Sequence, residues 1–190
     1  MNKWLQKLTN RLFKDSKVKD IPATSTSPRT KMKAPSISQL EKELRTLDPK
    51  KVLEICVRLA KHKKENKELL TYLLFDANNE NAYIDDSKHK IDDLFTEINR
   101  KSSYTTKKGL QKIVRNMNKL IKYSKNKQTE IEIRLYFCKT VRSKRINLDS
   151  SAVISNLYYR EIEKIKAIYG KLHEDLQLDY RNELKELGIE

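Results

Sequence analysis

The chain has 190 residues, 41 Lys or Arg against 26 Asp or Glu, a formal net charge of +15, and only 3 Gly, 4 Pro and 2 Cys. That length carries one domain of ordinary size plus an appendage without disulfide or metal staples. Three glycines exclude a phosphate-cradling loop, a dinucleotide fingerprint and a Gly-x-Ser-x-Gly nucleophile turn. Every proline falls at or before position 49, which leaves the rest of the chain free of the strongest helix breaker and predicts an all-α fold.

Residues 2–14 predict a short amphipathic helix, with Trp4, Leu5, Leu8, Leu12 and Phe13 on one side and Lys3, Lys7, Arg11 and Lys14 elsewhere. This composition suits docking into a partner's groove or weak peripheral contact with an anionic membrane. Polar Gln6, Thr9 and Asn10 interrupt the apolar core that a secretory signal needs. Residues 15–35 turn to Lys, Ser, Thr and Pro, with too few apolar groups to offset the entropy of ordering, and read as a disordered linker.

The helical domain is expected over residues 36–190. Ser36 with Gln39, or Ser38 with Glu41, offers a capping box, and Ile37, Leu40, Leu44 and Leu47 follow as a buried stripe. Asp48 and Pro49 give a second start signal, followed by the apolar face of Val52, Ile55, Cys56 and Leu59. After a charged break at residues 61–68, Leu69 to Phe75 is apolar almost all round, the mark of a central helix. It is the longest strongly apolar stretch and falls far short of the ~20 residues that span a bilayer.

Two further helices are predicted over about 81–99 and 105–124, the second with Leu110, Ile113, Val114, Met117, Leu120 and Ile121 at helical spacing. Residues 129–138 alternate, with Ile131, Ile133, Leu135 and Phe137 between charged neighbours and Tyr136, which taken alone is a strand pattern. Helix is preferred, because Ile133, Phe137 and Val141 also share a helical face and Glu130 and Arg134 are spaced for an ion pair. Asp149 or Ser150 caps a final hairpin. Seven or eight body helices with short connections imply antiparallel pairs, packed as an irregular bundle or a short solenoid-like stack; no clean internal repeat is visible.

Charge is concentrated rather than spread. Residues 100–145 hold 15 Lys or Arg against 2 acids, whereas residues 37–99 hold 11 against 13 and residues 146–190 hold 6 against 9. Lys108, Lys112, Arg115, Lys119 and Lys122 fall three or four apart opposite the apolar face, one continuous stripe suited to phosphates or other anions. A solvated face explains the same pattern. His89 has carboxylates three and four positions either side, and His173-Glu174-Asp175-Leu176-Gln177 starts like a zinc-protease helix but carries Gln177 where the second histidine must stand. The reading assigns no catalytic residue, cofactor or metal. Two widely spaced free cysteines, Cys56 and Cys138, point to a cytoplasmic setting.

Several phrases carry a resemblance: Arg58-Leu59-Ala60-Lys61, Lys64-Glu65-Asn66-Lys67-Glu68-Leu69-Leu70-Thr71-Tyr72-Leu73-Leu74-Phe75, Lys127-Gln128-Thr129-Glu130, Asn156-Leu157-Tyr158 and Leu172-His173-Glu174-Asp175-Leu176-Gln177. Together they resemble an uncharacterised family of bacterial helical proteins of the Bacteroidota, over roughly residues 36–188. The resemblance implies a soluble helical bacterial protein and transfers no activity or site residue. The combined expectation is a non-catalytic helical interaction module with an unidentified protein partner. The alternative is a sequence-nonspecific nucleic-acid binder using the Lys-rich stripe, and the third is an enzyme of unrecognised type.

Overall fold

The computed structural model describes residues 34–189, all of them in helices, turns and connecting segments. The chain divides into two compact units at Leu47–Asp48. Within the first, the described helix is α1 (Ile37–Thr46). Its capping box is the one at Ser36 and Gln39: the Ser36 amide donates to Gln39 Oε1 at 2.8 Å and the Gln39 amide to Ser36 Oγ at 3.3 Å. The expected buried stripe is corrected here, since Ile37, Leu40, Leu44 and Leu47 are all exposed, Ile37 by 80%. Spacing makes the helix amphipathic, but burial needs a facing element, and the described part of this unit contains no other helix.

The second unit holds seven α-helices: α2 (Pro49–His62), α3 (Lys64–Thr71), α4 (Glu80–Thr96), α5 (Ser103–Ser124), α6 (Lys127–Ser143), α7 (Ala152–Tyr169) and α8 (Glu174–Glu186). A single π turn, Tyr72–Asp76, extends α3, and a 3-10 turn, Leu148–Ser150, precedes α7. Local chemistry sets the starts. Asp48 accepts from the Lys50 amide with Pro49 behind it, Ser102 and Thr105 form a capping box, and Ser151 rather than Asp149 or Ser150 caps α7. At α8 the cap is His173, whose ring nitrogen accepts from the Asp175 amide at 3.4 Å. The histidine that imitates a zinc motif is a helix cap.

α4, α6 and α8 lie side by side, pointing the same way, in a register that repeats every 44 residues. Between α4 and α6, Lys88 meets Glu132 at 3.0 Å, Asp92 accepts from the Tyr136 hydroxyl, and Arg100 donates to the Lys144 carbonyl at 2.8 Å. Between α6 and α8, Lys139 meets Glu183 at 3.1 Å and Arg142 donates to the Glu186 carbonyl at 2.8 Å. Partners that advance together along both helices require a parallel pair. α5 and α7 form a second layer, packed on one another and on the first. The architecture is therefore a short stack of helix hairpins, the solenoid-like member of the two expected arrangements.

Gly109 permits a close approach within the hairpin of α4 and α5. A Cβ there would lie 2.8 Å from Ile98 Cγ1, so α5 runs nearer to the end of α4 than an alanine allows. α6 is the central helix of the unit. Ile131, Ile133, Leu135, Phe137 and Cys138 are all 0–1% exposed, which explains the strand-like alternation: apolar residues are buried around much of the helix, and its polar Glu132, Tyr136 and Lys139 are used in contacts with α4 and α8. The Leu69 to Phe75 segment is not central, contrary to expectation. Tyr72 is buried, while Leu73, Leu74 and Phe75 are 56–74% exposed. They belong to the first hairpin of this unit, and among its described residues no further hairpin covers them.

Candidate interaction surfaces

Each basic residue of the predicted stripe sits on α5, and the structure sends them to different tasks. Lys119 meets Glu68 of α3 at 2.8 Å, and Lys112 pairs with Glu97 at the end of α4. Lys108 rests over the Tyr104 ring at 4.5 Å, beside Lys107 at 5.1 Å. Arg115 and Lys122 meet no acid among the described residues. Two of the five thus stabilise contacts between helices, and Arg115 and Lys122 stand exposed on α5.

What sequence reasoning missed is the contribution of α7. An open groove of about 600 Å³ runs between α5 and α7, lined by Gln111, Val114 and Arg115 from one helix and by Leu157, Arg160 and Lys164 from the other. Arg160 is exposed and meets no acid among the described residues. The acid at the groove, Glu161, is 2% exposed and fully engaged: the Arg134 guanidinium donates to one oxygen and Lys164 meets the other at 2.7 Å. Arg134 is itself buried; the nitrogen that meets Glu161 also donates to Asn118 Oδ1 at 3.2 Å, and its other two nitrogens both donate to Glu130, at 2.9 and 2.6 Å. The only sequence signal was the i, i+4 spacing of Arg160 and Lys164, too ordinary to separate from a solvated face.

A second concavity, about 360 Å³, lies where α3 and the π turn meet α4 and α5. Its tyrosine hydroxyls are already committed. Tyr72 donates to Glu80, Tyr83 to the Leu120 carbonyl at 2.9 Å, and Tyr123 to Glu68 at 2.9 Å. Glu80 also accepts from Thr129 and Ser124. Burial opposes charge on Glu80, but the Thr129, Tyr72 and Ser124 hydroxyls outweigh it and hold the carboxyl below its ordinary pKa. For Glu68, burial is likewise outweighed, here by Lys119 and Tyr123. These groups knit the first hairpin to the stack.

The chemically reactive types are held apart. Burial, reinforced by the Glu161 charge, pushes the Cys138 thiol up to about 12, which leaves it inert near neutral pH. Around His89, Asp92 is taken by Tyr136 and Asp85 lies 3.8 Å from Lys88. No group of three His, Cys, Asp or Glu able to hold a metal occurs among the described residues, nor does a helix long and apolar enough to cross a membrane. The candidate docking residues Trp4, Leu5, Leu8, Leu12 and Phe13, and the segment 15–35, lie outside the described residues.

Fold and surfaces together define a stack of helix hairpins with a basic groove on one layer and exposed apolar side chains on its first hairpin. The chain matches no protein-family model, no curated protein and no solved structure.

Proposed function

We propose that the protein is a non-catalytic helical interaction module, a scaffold that binds a protein partner in the cytoplasm. The carrying observation is the apolar dress of its first hairpin. Leu53, Val57 and Leu59 on α2, and Leu73, Leu74 and Phe75 on the π turn, are each 41–74% exposed. Single exposed apolar residues are ordinary, but a hairpin with so many, and with no buried residue on either α2 or α3, has a surface that gains free energy from being covered. Two free thiols, Cys56 and Cys138, support the cytoplasmic setting. A nucleic-acid ligand has less support, because Lys112 and Lys119 are spent on internal acids and the Tyr104 ring, the stacking platform nearest the stripe, is covered by two ammonium groups.

The test is a photo-crosslinking phenylalanine analogue placed at Phe75 in the full chain, in cells. Discrete protein adducts that disappear when Leu73 and Leu74 become serine are the expected result. Absence of adducts from a variant whose helicity matches the parent would overturn the reading.

A further inference from the structure

We propose that the groove between α5 and α7 takes an acidic amphipathic segment of the partner, aliphatic side chains on its floor and carboxylates on its rims. The inference rests on the interaction-module reading and adds the chemistry of the guest. The two helices contribute opposite walls, with Arg115 on one and Arg160 on the other, both exposed and both without an acid partner among the described residues. Lys164 also lines the groove, but its ammonium is paired with Glu161 at 2.7 Å, so the two arginines are the cations left for a guest. A guanidinium presents a planar fork that matches a carboxylate in two-point contact, so two facing forks favour a segment with acids spaced to reach both walls.

The floor decides between anions. Val114 and Leu157 are half-buried between the walls, and Val153 stands exposed at one end. Aliphatic groups gain from contact with Leu, Ile or Val of a peptide and gain little from a sugar-phosphate backbone. No aromatic ring lines the groove, so the bases of a single strand would lack a stacking surface. Gln111 and Asn156 supply amides for a guest's main chain. Glu161 does not repel the guest, because Arg134 holds it from beneath and Lys164 from the side. The groove is positive at its rims, neutral and apolar below, complementary to an acidic amphipathic peptide.

The experiment measures fluorescence anisotropy of two probes on the full chain: a labelled helix-forming peptide with leucines on one face and glutamates on the other, and a labelled single-stranded RNA. Arg115→Gln with Arg160→Gln is compared with Lys108→Gln, Lys122→Gln and Lys171→Gln, which remove more charge from positions outside the groove. The groove variant is expected to bind the peptide at least about tenfold more weakly, the loss of one to two charge-assisted contacts, while the control retains affinity. Replacing the peptide's leucines with serine is expected to abolish binding. Equal losses in both variants, binding that survives the groove variant, no binding of the peptide at all, or binding of RNA in its place would each overturn the proposal. Neither arginine has an ion-pair or hydrogen-bond partner among the described residues, so unchanged helicity is expected and checks that the variants fold. If the groove fails while adducts at position 75 persist, the module reading stands without it. Loss of those adducts removes the reading itself.

Discussion

At the residue scale, the Arg134 and Glu161 pair carries the greatest consequence, because both side chains are at least 94% buried where α6 crosses α5 and α7. Two charges taken out of water are tolerated only when each finds the other and the remaining lone pairs and protons are used. Here Glu130, Asn118 and Lys164 complete the set. Arg134→Met strands Glu161 in the core and is expected to cost about 3–5 kcal/mol in urea unfolding, whereas Arg134→Met with Glu161→Leu recovers most of the loss. A cost under about 1 kcal/mol for the single change would mean that water reaches the pair. The sequence disclosed half of this network. Glu130 and Arg134 are spaced for an ion pair, but nothing local marks Glu161, which is 27 positions away, as the buried partner.

At the scale of the element, the first hairpin is tied to the stack by two carboxylates beside a small buried cluster of Tyr72, Tyr83 and Tyr123. Glu80 accepts from Tyr72, Ser124 and Thr129, and Glu68 binds Lys119 and Tyr123, so hydroxyls and one ammonium add to the packing of the tyrosine rings. Both carboxyls have pKa values lowered by folding. A lowered folded value adds stability above the unfolded pKa, and this contribution is lost as the pH falls through the folded value. Wild type is therefore expected to lose part of its stability on acidification below the ordinary carboxyl value of 4.5. Glu80→Gln is expected to cost about 1–3 kcal/mol at neutral pH and to show a flatter acid limb, measured by urea unfolding across the acid range. A parallel acid limb in the two proteins would remove Glu80 from the account. The misjudged Leu69 to Phe75 helix has the same origin: a hydrophobic run predicts burial only when a neighbour exists, and neighbours are a property of the stack.

Across the whole molecule, the core runs through α4 to α8, with Ile91, Ile113, Met117, Ile131, Phe137, Ile154 and Ile165 at its centre, while α2 and α3 bury no residue. Stability should be graded along the stack, as expected when each hairpin is held mainly by its neighbours. Amide hydrogen exchange is expected to protect α5, α6 and α7 most and to open α2 and α3 first. Uniform protection across all seven helices would contradict that gradient. Binding at the first hairpin would raise protection there, which links this measurement to the proposed module.

Helix positions were legible because they follow from local chemistry: absence of proline after Pro49, caps at Ser36 and Asp48, and apolar spacing of 3.6 residues. Even the alternating 129–138 segment was recoverable as helix from a face shared by Ile133, Phe137 and Val141. The 44-residue register was not, because it is carried by unlike pairs such as Lys88 with Glu132, Asp92 with Tyr136 and Arg142 with a main-chain carbonyl. Different chemistries can meet at one spacing without any repeated sequence. Net charge and its concentration in residues 100–145 were likewise set by the chain itself, but which cations remain available was decided by the acids that packing brings to them. Lys112 and Lys119 found Glu97 and Glu68, whereas Arg115 was left facing Arg160 across a groove that exists only because α5 and α7 lie side by side.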